Sequence, residues 1–217
     1  MNNIKGAIFD LDGTLFDSLW AWEEIDKRFL SKRGHDVPPD YSKAISALSY
    51  RDSAVYTIKR FNLSDTPDAL MKEWMDMSRE MYAIEIKLKK DAKQFLLALK
   101  SKGIRLAVAT SSTRELYEPA LKNNGIYELF DVVVDTTGIR GKDFPDVYLA
   151  AAIKMGLGPG ESVVFEDLPV AISIAKSAGF RTVGIVDKHF SPAMKESADF
   201  IAKDYSELIK LMNKAKQ

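Results

Sequence analysis

The feature that most constrains this sequence is a repeated texture, in which short, almost unbroken apolar runs alternate with amphipathic stretches closed by glycine. Ile4–Phe9, Ile104–Ala109, Phe130–Val134, Ser162–Phe165 and Arg181–Val186 have the length of strands. Their near-continuous apolar and β-branched character suits strands covered on both faces, as in a parallel sheet. Helical patterns lie between the later runs. Asp91–Lys102 places Ala92, Phe95, Leu96 and Leu99 at helical spacing before Gly103. Arg114–Asn124, Asp146–Met155 and Pro169–Ala178 stop at Gly125, Gly156 and Gly179. Glycine just past the last periodic residue is a helix stop. Alternation from residue 91 onward predicts βαβ units with right-handed crossovers. The expected class is α/β, with a three-layer, Rossmann-like parallel-sheet core.

Asp17–Lys90 breaks the alternation, with helical patterns and no convincing strand. Leu19, Trp22, Ile25, Phe29 and Leu30 form one stripe that ends at Gly34. Asp40 and Asp52 are candidate caps for the next two helices. Thr66-Pro67 reads as an N-cap followed by proline at the first helical position. Leu70, Met71, Trp74, Met77, Met81 and Ile84 carry the fourth helix onward. An insertion of roughly 70 residues is too long for a loop and suits a small helical bundle. The expected division is a core of residues 1–16 and 91–217 and an all-helical inserted domain of residues 17–90.

Composition narrows the partners. The chain has 217 residues, 46% hydrophobic and 29% charged, which excludes disorder and low-complexity tails. Lys+Arg and Asp+Glu are equal at 31 each, so a global electrostatic grip on nucleic acid or an anionic membrane is not expected. There is no cysteine, which removes disulfides and thiol chemistry. The start, Met1-Asn2-Asn3-Ile4-Lys5, lacks the longer apolar region of a signal peptide. No apolar run approaches the roughly 20 residues of a membrane helix. The expectation is a cytoplasmic protein, monomeric or weakly homo-oligomeric.

Four short motifs carry chemistry. Phe9-Asp10-Leu11-Asp12-Gly13-Thr14 ends the first predicted strand, and extended backbone there would point Asp10 and Asp12 the same way. Paired carboxylates repel unless a cation uses them, and Mg²⁺ is bound by one or two carboxylates with waters and a substrate phosphate. Val108-Ala109-Thr110-Ser111-Ser112 offers hydroxyls and backbone N–H groups to a phosphate. Gly141-Lys142-Asp143-Phe144-Pro145-Asp146 places an ammonium before a helix. Val163-Val164-Phe165-Glu166-Asp167 ends a buried strand in two acids, whose desolvation needs a cation or hydrogen bonds. Taken singly, these are a turn, a helix cap, a surface lysine and a strand end. Together they meet on one edge of a parallel sheet, where ligands bind in open α/β folds.

This ordered set resembles the motifs of the haloacid dehalogenase-like superfamily, in the branch similar to β-phosphoglucomutases and phosphoglycolate phosphatases. Asp17–Lys90 stands where that family has its helical cap. The resemblance implies that Asp10 is the nucleophile and takes the phosphoryl group as an aspartyl phosphate. Asp12 would protonate the leaving oxygen and then deprotonate water. Thr110, Ser111 and Lys142 would hold phosphoryl oxygens. Mg²⁺ would be held by Asp10, Asp167 and the backbone carbonyl of Asp12, with Glu166 in the metal's surroundings. The implied activity is a Mg²⁺-dependent phosphatase of a small phosphorylated metabolite such as a sugar phosphate. The alternatives are a phosphomutase and a retired binder of phosphorylated ligands.

The sequence departs from the family pattern at several places. Leu168 and Ala171 replace a usual serine and glycine, Leu88-Lys89-Lys90-Asp91 lacks a usual Pro-Gly, and Trp22 stands where mutases carry histidine. The last departure favours the phosphatase, and Asp12 disfavours dehalogenase and phosphonate-cleaving chemistry. Substrate choice is expected in the cap, which the chain enters near Phe16–Leu19 and leaves near Ile84–Lys90, as suits a two-stranded hinge. In Leu48-Ser49-Tyr50-Arg51-Asp52, Arg51 is a candidate for holding a substrate hydroxyl or second anion, or else a solvated helix-start residue. Trp20 and Trp22 are expected to pack the cap core, and His35 and His189 to lie on the surface.

Overall fold

The computed structural model describes residues 3–45, 48–187 and 192–214. Along the chain run β1 (Gly6–Phe9), β2 (Phe16–Asp17), α1 (Ala21–Ser31), α2 (Tyr41–Ile45), α3 (Tyr50–Phe61) and α4 (Pro67–Ile84). There follow β3 (Lys87–Leu88), α5 (Ala92–Lys100), β4 (Arg105–Thr110), α6 (Arg114–Asn123), β5 (Val132–Asp135) and α7 (Asp146–Lys154). The chain continues through β6 (Ser162–Glu166), α8 (Pro169–Ser177), β7 (Arg181–Ile185), α9 (Ala193–Ser197), β8 (Phe200–Ala202) and α10 (Tyr205–Lys214). These elements fall into two compact units, Met1–Ser18 with Ile86–Gln217, and Leu19–Glu85.

The first unit is an α/β core. Its described residues form a six-stranded sheet in the order β5-β4-β1-β6-β7-β8, with every pairing parallel. β1 lies between β4 and β6, with Phe9 level with Val108 on one side and Phe165 on the other. The strand order reverses about β1, so the crevice at its carboxyl end is a topological switch point. Alternation gives the two sheet faces different cores. Ile8, Ala107, Ala109 and Val164 pack with Val147, Tyr148 and Ala151 of α7. On the other face Phe9 stacks on Phe165 at 4.4 Å, and Phe95 of α5 meets both rings edge-on.

Two expectations need correction. The inserted unit is helical as expected but spans Leu19–Glu85 rather than residues 17–90, because β2 and β3 belong to the core unit and pair antiparallel through Phe16–Leu88 and Asp17–Lys87. Strands of two residues leave no readable periodicity. The sheet also gains β8 as an edge strand, whose three residues are too short for a hydrophobic run.

The second unit is the helical insertion. Thr66 caps α4 as expected, its hydroxyl accepting from Ala69 N, with Pro67 at the first helical position. The cap of α3 is Ser49, and Asp52 instead sits in the first turn, where it accepts from the Ser49 hydroxyl at 2.6 Å. Asp40 gives its carboxylate to Arg60 on α3 at 2.7 and 3.0 Å. Arg33 ties α1 to α4: it pairs with Asp65 and Glu73 and lies 3.8 Å above the Phe29 ring. Trp22 is a further correction, being 44% exposed rather than packed in the unit's interior. His35 is half-buried against Phe61, and His189 lies outside the described residues. No helix of the described residues is long and apolar enough to cross a membrane.

One buried group makes the stability of this unit depend on pH. Asp26 of α1 is 8% exposed, and burial together with the Glu23 charge pushes its carboxyl up to about 7. The native state therefore holds a proton that the unfolded chain, with a value near 4, releases earlier. The stability Asp26 contributes is fully present below about pH 4 and is lost as pH rises through about 7. Asp26→Asn should remove this dependence. Urea midpoints should show the variant gaining roughly 3–4 kcal/mol on the wild type between about pH 4 and about pH 8. A difference that does not vary with pH would contradict this placement of Asp26.

Candidate active site

The switch point collects the predicted acids. Asp10 follows β1, and its amide donates to Phe165 O at 3.0 Å. Glu166 ends β6 and Asp167 follows it, while Lys142 comes from the loop between β5 and α7. One oxygen each from Asp10, Glu166 and Asp167 lies within 4.8 Å of the others. Lys142 Nζ donates to Asp10 Oδ1 and, at 2.5 Å, to Glu166 Oε1. Asp10, Glu166 and Asp167 are buried, and the Lys142 side chain is only 10% exposed.

Glu166 holds this arrangement together. Val164 and Glu166 share a face of β6 with Ile8 of β1, the face covered by α7. The Tyr148 hydroxyl of α7 therefore meets Glu166 Oε1 at 2.9 Å. Oε2 accepts from the Asp167 and Leu168 amides at 3.0 and 3.2 Å. With Lys142 that makes four donors, which fills the acceptor capacity of a carboxylate. Glu166 thus orients the lysine and the loop that carries Asp167. The exposed Leu168 and buried Ala171, which depart from the family pattern, leave these amide contacts in place.

Three carboxylates against one ammonium leave two negative charges uncompensated. Burial, opposed by Lys142 and reinforced by the neighbouring carboxylates, holds Asp10 well above the usual carboxylate range. Burial and the Glu166 charge push Asp167 up to about 7. Burial disfavours the Lys142 ammonium, but Asp10 and Glu166 outweigh it and keep it charged. A hard divalent cation fits such a set in charge and in donor type. Asp10 and Asp167 are the residues with oxygens to spare for it. Asp167 Oδ1 is steadied by the Thr14 hydroxyl at 3.1 Å.

Asp12 stands apart. Its side chain is half-buried, with Oδ1 accepting from Ser18 and Oδ2 from Ser112, both at 2.7 Å. Gly13 makes the turn behind it at φ 79°, a left-handed conformation that suits glycine. Thr110 is buried at the end of β4, and its Oγ1 accepts from Ser112 N at 3.0 Å. Ser111 is exposed beside it. Arg51 lies in the helical unit, 61% exposed and paired with Asp68 at 2.7 Å. Sequence reasoning missed the supporting residues Thr14, Ser18, Ser112 and Tyr148. Thr14 and Ser112 lay inside motifs already singled out, whereas Tyr148 looked like an ordinary apolar-face residue of α7.

Comparison with known proteins agrees with this geometry. Residues 7–185 match the family described as haloacid dehalogenase-like hydrolase. The chain belongs to the haloacid dehalogenase-like hydrolases. Among its relatives is the validoxylamine A 7'-phosphate phosphatase of Streptomyces hygroscopicus subsp. limoneus, 31% identical over 94% of this chain and 95% of that protein. The phosphorylated carbohydrates phosphatase of Thermotoga maritima is 27% identical, covering 84% of this chain and 86% of its own. A crystal structure from the same organism, described as a "putative beta-phosphoglucomutase", superposes with TM-score 0.88 at 25% identity, over 97% of this chain and 99% of that one. Like these relatives, the hydrolase is an α/β enzyme with an inserted helical cap.

The saturation of Glu166 gives a stability test. In Glu166→Gln an amide NH₂ replaces one oxygen and faces donors, while Lys142 loses a buried partner. The cost should be about 3 kcal/mol, read from urea midpoints. Tyr148→Phe, which removes one neutral donor, should cost about 1 kcal/mol. A Gln variant as stable as the wild type would mean that Glu166 does not hold these four donors.

Proposed function

We propose that this hydrolase is a Mg²⁺-dependent phosphatase of small phosphorylated metabolites that works through an aspartyl phosphate on Asp10. The observation that carries the reading is the buried excess of negative charge around Asp10, beside a separately held, half-buried Asp12. The named activities of the two phosphatase relatives support it. Mg²⁺ would be held by Asp10 and Asp167, with the Asp12 backbone carbonyl. When bound it would supply charge neutralisation for the transferring phosphoryl group.

The protein's own residues perform the rest. An Asp10 carboxylate oxygen attacks phosphorus, and the P–O ester bond breaks with its electron pair on the ester oxygen. Asp12 gives that oxygen a proton, so the alcohol leaves neutral. The phosphoryl group is then an acyl phosphate on Asp10. Asp12, now a carboxylate, takes a proton from water as the water attacks the same phosphorus. Inorganic phosphate leaves and Asp10 is restored. The two serine hydroxyls fix both oxygens of Asp12, which must serve in both halves. Lys142 orients Asp10 and supplies positive charge to phosphoryl oxygens, and the Thr110 hydroxyl and the neighbouring Ser111 add donors.

A phosphomutase would use the same first half and return the phosphoryl group to a second hydroxyl. The name of the Thermotoga structure brings that reading in. Inorganic phosphate release from a panel of sugar phosphates separates the two. The expected result is steady release that stops when a chelator is added and resumes with Mg²⁺. Asp10→Asn should lower turnover at least about 10³-fold while the protein stays folded, since an amide is a poor nucleophile. Unchanged release by a folded Asp10→Asn variant would refute the assignment of Asp10. Isomerised sugar phosphate without free phosphate would replace the phosphatase by the mutase.

A further inference from the structure

One buried tyrosine that the mechanism does not use reaches the site from the end of the chain. Tyr205 is the first residue of α10, where Asp204 Oδ1 accepts from the Glu207 amide at 3.0 Å and fixes the helix start. The Tyr205 ring lies 5.5 Å from that of Phe95, on the sheet face that carries Phe9 and Phe165. The residue is completely buried, and its hydroxyl donates to the Thr14 carbonyl at 3.1 Å. Tyr148 comes from the α7 face to hold Glu166, so each face of the sheet sends one tyrosine to the site. The family match ends at residue 185, so Tyr205 lies beyond the matched residues.

What Tyr205 holds is the loop between β1 and β2. Thr14 is completely buried there, so its carbonyl needs a donor that water does not supply. The amides around it are engaged elsewhere. Thr14 N and Phe16 N both donate to Leu11 O, Gly13 N donates to Phe16 O, and Lys89 N donates to Leu15 O. No backbone amide of the described residues reaches Thr14 O, and the Tyr205 hydroxyl takes that place. Burial, with the Asp10 and Asp167 charges nearby, holds the phenol well above its usual range, so the hydroxyl stays a donor.

The side chain of Thr14 carries this anchorage to the acids. Its hydroxyl donates to Asp167 Oδ1 at 3.1 Å, and among the described residues no other side chain donates to that carboxylate. A single buried residue therefore links α10, through its carbonyl, to Asp167, through its hydroxyl. Groups that orient a metal ligand set the affinity of the site almost as the ligands themselves do. We infer that Tyr205 is a positioning residue for the cation: it fixes Thr14, and Thr14 aims Asp167. The inference rests on the reading above in which Asp167 holds Mg²⁺.

Calorimetric titration of the full-length protein with Mg²⁺, at constant ionic strength and without substrate, tests this. Tyr205→Phe keeps the ring and removes only the hydroxyl. Its Kd for Mg²⁺ should rise about tenfold, the lower end of what such orienting partners contribute. Tyr41→Phe removes an equally buried hydroxyl, bonded to Thr57 at 2.7 Å in the helical unit, and should leave Kd within about twofold. Thr14→Val removes the donor to Asp167 and should weaken binding at least about tenfold. Adding Tyr205→Phe to Thr14→Val should then change Kd by less than about twofold, because the link is already cut. A Kd for Tyr205→Phe equal to that of the wild type would overturn the inference. So would an equal loss in Tyr41→Phe, or a full further loss in the double variant. A wild type that does not bind Mg²⁺ would refute the cation site itself, and this inference with it.

Discussion

Lys142 Nζ lies between Asp10 and Glu166, and everything else at the sheet's edge is arranged around that buried ammonium. Charges placed beyond the reach of water must be paired, hydrogen-bonded or neutralised. Glu166 meets the requirement completely with its four donors. Asp10 meets it in part through Lys142, and Asp167 in part through Thr14. What the protein leaves uncompensated is the charge a divalent cation carries.

The fold supplies the positions cheaply. Parallel strands in register bring Phe9 level with Val108 and Phe165, so residues one or two places further along converge with no special loop. The side-chain period of two sends Glu166 toward α7, where Tyr148 waits within an apolar surface. Asp12 lies beyond the strand and is held by serines instead of by charge.

Much of this was legible in the sequence. Buried parallel strands announce themselves by continuous apolar runs, and their carboxyl ends bring together polar residues that are distant in the chain. Asp10, Thr110, Lys142 and Asp167 could therefore be placed on one edge from pattern alone. Residues acting through a neighbour were harder to see. Tyr148 has the burial and spacing of a core aromatic, and its hydroxyl matters only because β6 ends in Glu166. Asp26 sits at an apolar position of α1, where a buried acid reads from sequence as part of a charged face. Two-residue strands such as β2 and β3 carry no period at all.

The central claim is that the buried excess of negative charge around Asp10 is a divalent-cation site. Thermal unfolding with increasing Mg²⁺, against NaCl at equal ionic strength, tests it without any substrate. A ligand bound only by the native state stabilises it by about 2.7 kcal/mol at a hundredfold excess over Kd. The midpoint should rise saturably with Mg²⁺ and not with Na⁺, and Asp167→Asn should lose most of that rise. A midpoint indifferent to Mg²⁺, or a rise that survives intact in Asp167→Asn, would contradict the account.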